Sequence, residues 1–93
     1  MNFSDALNAI KEGKRLARAG WNGKGMFVFL VAGSNFRVSR EPLPSILGEG
    51  TEVTYRPHID MRAADGSIVP WLASQTDIMA DDWNVVGITE TAA

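Results

Sequence analysis

The most constraining stretch of the chain is residues 58–77, HIDMRAADGSIVPWLASQTD. Asp65-Gly66 is a strong two-residue hairpin signal, because a type I′ turn needs positive φ at both central positions. With those two residues as the loop, Ala64 faces Ser67 and the register runs outward. Ala63 then pairs with Ile68, Met61 with Pro70 and Ile59 with Leu72, which makes one apolar face. The other face carries His58, Asp60, Arg62, Val69 and Trp71, with Asp60 opposite Trp71. One face suits a core. The other gathers an acid, a base and an indole, the chemistry of a binding surface. Ser74 then opens a helix over residues 75–81, with Asp77 three residues on as an acidic variant of the capping box.

The rest of the chain supplies what this hairpin packs against. Phe3, Ala6, Leu7 and Ile10 fall at i, i+3, i+4 and i+7, the stripe of a short amphipathic helix. Asn2 or Ser4 can cap it, and Gly13 is the expected stop. So short a helix must lie on a sheet. Residues 14–19 read as an edge strand or extended segment whose charges protect the edge. GWNGKG at 20–25 holds three glycines in six residues, a loop in which backbone can approach a neighbour closely. It lacks the spacing of a phosphate-binding P-loop. MFVFLV at 26–31 is the clearest strand, apolar on both faces, so both faces should be covered. A subunit interface or a ligand on one side would do this. Residues 33–50 form a long connection with one short strand at 36–38 and the character of a functional or partner-facing loop. Residues 52–56 are extended before Pro57, and 83–86 form a last strand.

Ninety-three residues make one domain, here placed at 1–87 with a loose C-terminal tail at 88–93. A domain of this size has little spare stability, so oligomerisation is a natural way to bury more surface. No cysteine is present, which excludes a disulfide frame and a thiolate metal site. The start lacks a signal-peptide pattern, and no apolar run approaches the roughly 20 residues of a membrane span. The net charge of −2 hides an asymmetry: all nine Lys and Arg lie in residues 1–62, and residues 63–93 hold five acids and no base. Either the two halves face each other, within a chain or across an oligomer, or the basic half supplies an anion site. The overall acidity argues against a nucleic-acid polymer as partner.

No catalytic constellation is visible. His58 is the single histidine, so a metal site would need carboxylates alone around it, and a general base would need a nucleophile that the sequence does not show. It reads as a structural or hydrogen-bonding histidine, and no metal or cofactor is expected. Asp60 has Arg62 or Arg56 as available partners. Trp83, beside Val85 and Val86, reads as core. Trp21 and Trp71, with Phe27, Phe29 and Tyr55, offer a stacking pocket, and base–aromatic stacking contributes about 1–3 kcal/mol per base. Arg15, Arg18, Arg56 and Arg62 can hold phosphates through fork-shaped hydrogen bonds; taken singly, each reads first as solvated surface or as a partner for the acidic half.

The blocks GWNGKGM, YRPHIDM and VPWLASQTDIMADDW strongly resemble, in combination, a phage and prophage family that includes the Thoeris anti-defence protein 2. The resemblance runs over residues 2–86 and is weakest at 34–50. It implies non-enzymatic sequestration of cyclic ADP-ribose isomers, with cyclic dinucleotides or related signals bound by some members, and tetramers whose pockets form between protomers. It also implies action in the cytoplasm of the infected bacterial host. On this reading Trp21, Phe27 and Trp71 surround the base and Arg56 lies near phosphate. Asn22, Ser74, Thr76 and Asp77 bond ribose or base edges, and the start of the helix at 75 offers N–H groups to a phosphate. The alternatives are an oligomeric protein-interaction module without a nucleotide and, less favoured, a nucleotide-modifying enzyme. The expected fold is α+β: a small twisted antiparallel sheet of about five strands, an N-terminal helix and a second short helix near the C-terminus.

Overall fold

The computed structural model describes residues 1–87; the tail expected at 88–93 lies outside them. The element order is α1 (Phe3–Lys11), β1 (Leu16–Arg18), β2 (Phe27–Val31), β3 (Ser34–Arg37), α2 (Leu43–Leu47), β4 (Glu52–Tyr55), β5 (His58–Arg62), β6 (Ile68–Pro70), α3 (Gln75–Met79) and β7 (Trp83–Val85). Five strands form one antiparallel sheet in the order β6-β5-β2-β1-β7, and β3 pairs with β4 in a second, two-stranded sheet. The expected α+β architecture is present, with one further short helix, α2. No helix among the described residues is long and apolar enough to cross a membrane.

The N-terminal helix forms where its stripe places it. Asn2 Oδ1 accepts the Asp5 N–H at 2.9 Å as the N-cap, and Gly13 follows the helix at φ +94°. Ala6, Ala9 and Ile10 are buried and join Leu16, Val28 and Trp83 in the core. Phe3, Trp21, Leu30, Ile59, Met61 and Trp71 pack around that cluster. In β2, Val28 and Leu30 face this core, so Phe27, Phe29 and Val31 lie on the face away from α1.

The segment at 14–19 is not an edge. β1 lies between β2 and β7, with Leu16 paired to Val28 on one side and Val85 on the other. Its charged residue Arg18, paired with Trp83, is accommodated inside the sheet because its guanidinium reaches two carboxylates.

The hairpin keeps its place but shifts by one residue. Gly66 has φ +89°, whereas Asp65 does not enter positive φ. The Gly66 N–H bonds Ala63 O at 2.9 Å, and the Ala63 N–H bonds Ser67 O at 2.8 Å. These bonds define a three-residue loop, a turn over 63–66 followed by a glycine bulge. Asp65 Oδ1 fixes it by accepting the Ser67 N–H at 2.9 Å and hydroxyl at 2.6 Å. The register becomes Arg62 with Ile68, Met61 with Val69 and Asp60 with Pro70. A one-residue slip moves every β6 side chain to the other face. Val69 and Trp71 therefore share the core side with Ile59 and Met61, Asp60 lies opposite Pro70, and Leu72 is 91 % exposed.

The long connection is a continuation of the sheet. Val31 pairs with His58, and after a break at Ala32-Gly33 and Arg56-Pro57 the same register resumes with Ser34 paired to Tyr55. β2–β3 and β4–β5 thus form one bent ribbon. A Cβ at Gly33 would stand 2.5 Å from Tyr55 O and 3.0 Å from Pro57 Cδ, so the bend needs glycine. α2 closes the far end, tied by the Thr51 hydroxyl to Leu47 O at 2.8 Å. The ribbon gives the molecule its length, 45 × 27 × 23 Å.

Candidate functional site

Two groups of side chains stand out. The first is an open cleft of about 420 Å³ where the ribbon bends, lined by Tyr55, Arg56, His58, Ile59, Pro70 and Trp71. Trp71 forms one wall. It is held from behind by Trp83, edge-on at 5.9 Å, and by Phe3 at 6.2 Å. Tyr55 is half-exposed, its ring packed edge-on against Phe36 at 5.0 Å. Arg56 stands exposed on the rim, with no ion pair among the described residues. His58 Nδ1 lies 3.0 Å from Arg56 O, and its Nε2 lies 3.6 Å from Asp60 Oδ1. Asp60 therefore faces His58 rather than either arginine weighed for it. Two aromatic rings and a guanidinium around an open cleft can stack a planar ring system and bond an anion attached to it.

The second group is a hydrogen-bonded lock beneath the 20–25 loop. Arg18 donates from Nε to Asp82 Oδ1 and from Nη1 to Asp77 Oδ1, both at 2.8 Å. The Trp21 indole N–H donates to the same Asp77 oxygen at 3.1 Å, and the Gly20 N–H to Asp82 Oδ2 at 2.8 Å. The Trp83 indole N–H donates to the backbone oxygen of Asp77 at 2.9 Å. Ser74 caps α3, its Oγ accepting the Asp77 N–H at 3.1 Å. Burial alone would raise the pKa of Asp77, but hydrogen bonds from Arg18, Trp21 and Ser74 outweigh it and hold the carboxyl below its ordinary value. Asp82 is lowered by Arg18 and by the Gly20 amide. Arg18 is raised by Asp82 first and Asp77 second.

The expected site residues divide between these groups. Arg56 and Trp71 meet in the cleft. Trp21, Ser74 and Asp77 meet in the lock, and Trp21 and Trp71 both rest on Trp83. Asn22 and Thr76 are exposed beside the lock, on the loop and on α3. Phe27 stands apart, on the sheet face away from α1, with Phe29 at 5.7 Å and the Arg15 guanidinium 5.5 Å from its ring centre. Within one chain, Trp21, Phe27 and Trp71 do not line one cavity. Of the arginines considered for phosphate, Arg18 is engaged by two acids and Arg62 donates to Gly25 O at 2.8 Å. Sequence reasoning set His58 on the polar face of the hairpin but not among the site residues, and put Pro70 on the apolar face. Both line the cleft, and the signal was their nearness to Arg56 and Trp71 in an antiparallel pair. Among the described residues, no three His, Cys, Asp or Glu side chains gather as a metal site.

This geometry can be compared with known proteins. Residues 1–86 match the family model described as the Thoeris anti-defense 2-like domain. The chain belongs to the Thoeris anti-defense 2-like family. A similar protein is Thoeris anti-defense 2 of Bacillus phage SP01, 38% identical over an alignment of 91 residues, with 92% of this chain and 94% of that protein covered. The match to the Thoeris anti-defense 2-like model takes in the cleft, the lock and the whole bent ribbon.

Proposed function

We propose that the chain is a phage anti-defence protein that binds a cyclic ADP-ribose-type signal and withholds it, uncleaved, from a bacterial immune effector. The observation that carries this reading is the Tyr55–Arg56–Trp71 cleft in a member of the Thoeris anti-defense 2-like family. Trp71 and Tyr55 stack the base and Arg56 bonds a phosphate. Trp21, Asn22, Ser74 and Thr76 flank the ligand from the loop and the start of α3, while Asp77 chiefly holds Trp21. Phe27 meets a nucleotide only where a second copy closes its side of the sheet, which fits a homotetramer with shared pockets. Cyclic dinucleotides share the required chemistry of base and phosphate. The protein acts where the signal is made, in the cytoplasm of the infected host. Sequestration asks for affinity rather than chemistry: nanomolar binding corresponds to about −12 kcal/mol.

The test is to incubate the protein with cyclic ADP-ribose isomers, remove free nucleotide, heat the protein and identify what is released. Unchanged ligand is expected. Linear product would instead mark a nucleotide-modifying enzyme. A second reading, an interaction module without a nucleotide, is favoured by one observation, the exposed apolar side chains Ile46, Leu47, Leu72 and Met79. If no cyclic nucleotide raises the melting temperature, that reading replaces the first.

A further inference from the structure

We infer that Arg18 is a positioning residue: by bridging Asp77 and Asp82 it fixes Trp21 and the start of the 20–25 loop for ligand capture. Its functional half rests on the nucleotide-binding reading above. A loop with three glycines in six residues has many conformations to lose, and a preformed site loses less entropy on binding. The Trp21 backbone N–H bonds Arg18 O at 3.2 Å, and two bonds to side chains hold the start of this loop, from the Gly20 N–H to Asp82 and from the Trp21 indole to Asp77. Both side-chain acceptors are carboxylates that Arg18 orients. The Asp77 oxygen that receives Trp21 is the one that receives Arg18 Nη1, so displacing the guanidinium moves the acceptor of the indole.

The fit is specific to a planar fork. Arg18 reaches Asp82 with Nε and Nη2, at 2.8 and 3.4 Å, while Nη1 reaches Asp77 at 2.8 Å. A lysine ammonium has no such fixed spread of donors. The bridge also packs tightly on the loop backbone: a Cβ at Gly20 would stand 2.9 Å from Asp82 Oδ2 and 3.3 Å from Arg18 Nη2. Trp83 supplies an internal control, because its indole bonds the backbone oxygen of Asp77 rather than the carboxylate.

The experiment compares wild type with Arg18→Lys, following hydrogen exchange of the indole N–H groups by NMR and titrating cyclic ADP-ribose isomers. Exchange at Trp21 is expected to rise about tenfold, with Trp83 unchanged, and affinity to fall about tenfold. Equal loss of protection at both indoles would reduce Arg18 to a general stabiliser and overturn the inference. So would an unchanged Trp21 signal, or a released Trp21 with unaltered affinity. If wild type binds no nucleotide, the binding reading fails with the functional half of the inference, and the indole exchange still decides whether Arg18 positions Trp21. Should Arg18→Lys not fold, Asp82→Asn, which weakens one side of the bridge, gives the same readouts with the same deciding outcomes.

Discussion

Asp77 donates its backbone N–H to the Ser74 cap of α3 and receives both Arg18 and Trp21 on its carboxylate. The cap was legible in the sequence, since Ser74 and Asp77 sit at capping-box spacing. Its other partners were not, because they lie 59 and 56 residues away in the chain. Only the charge asymmetry hinted at them: Arg18 belongs to the basic part, Asp77 and Asp82 to the acidic part. Ser74→Ala should cost about 1 kcal/mol, a fall in Tm of about 4–8 °C for a domain of this size, measurable by thermal unfolding. The lock also sets an acid limit. Asp77 and Asp82 are both held below the ordinary 3.8. Carboxylates depressed in the folded state contribute stability that is complete above that value and is lost as pH falls through their folded values. Urea midpoints should therefore fall as pH drops below 3.8, and Asp82→Asn should flatten the decline. The raised pKa of Arg18 adds no loss in that window, since the group stays charged throughout.

At the scale of elements, α1, β2 and β7 followed from local pattern, because a 3.6-residue stripe and a continuous apolar run are visible without a fold. The β5–β6 hairpin was visible too, but its register was not. Asp-Gly serves both a two-residue loop and a longer loop with a glycine bulge, and the choice moves Trp71 from one face to the other. Gly66→Ala, at φ +89°, should cost about 1 kcal/mol and release the Ser67 contacts. α2 was missed because Leu43–Leu47 is five residues long and includes Pro44, too short for a stripe. The bend at Gly33 is a matter of tertiary approach. Gly33→Ala drives a methyl group into Tyr55 O and Pro57. Hydrogen exchange in β3 and β4 should accelerate, while β1 and β2 keep their protection. Equal acceleration in all four strands would mean that the ribbon has no separate stability.

For the whole molecule, strand order is the information that a single sequence withholds, since periodicity says which face a strand buries and not which neighbour it pairs with. That order decides the site. It sets β5 between β6 and β2, brings Arg56 and Trp71 to one cleft, and leaves Phe27 on the opposite face. Trp83 joins the cleft to the lock: it is 2 % exposed and touches Phe3, Trp21 and Trp71. Trp83→Ala should cost about 3–5 kcal/mol, a large share of the about 5–15 kcal/mol that stabilises a typical domain, read as a much lower midpoint in a denaturation assay. Arg56 is the opposite case, an exposed group whose removal should leave folding within about 0.5 kcal/mol. It therefore separates binding from stability. The decisive measurement is calorimetric titration of wild type and Arg56→Gln with cyclic ADP-ribose isomers. Nanomolar binding by wild type is expected, weakened about tenfold in the variant by loss of one charge-assisted contact, at unchanged Tm. Equal affinity in the two proteins would remove the cleft from the site, and no binding by wild type would contradict sequestration itself.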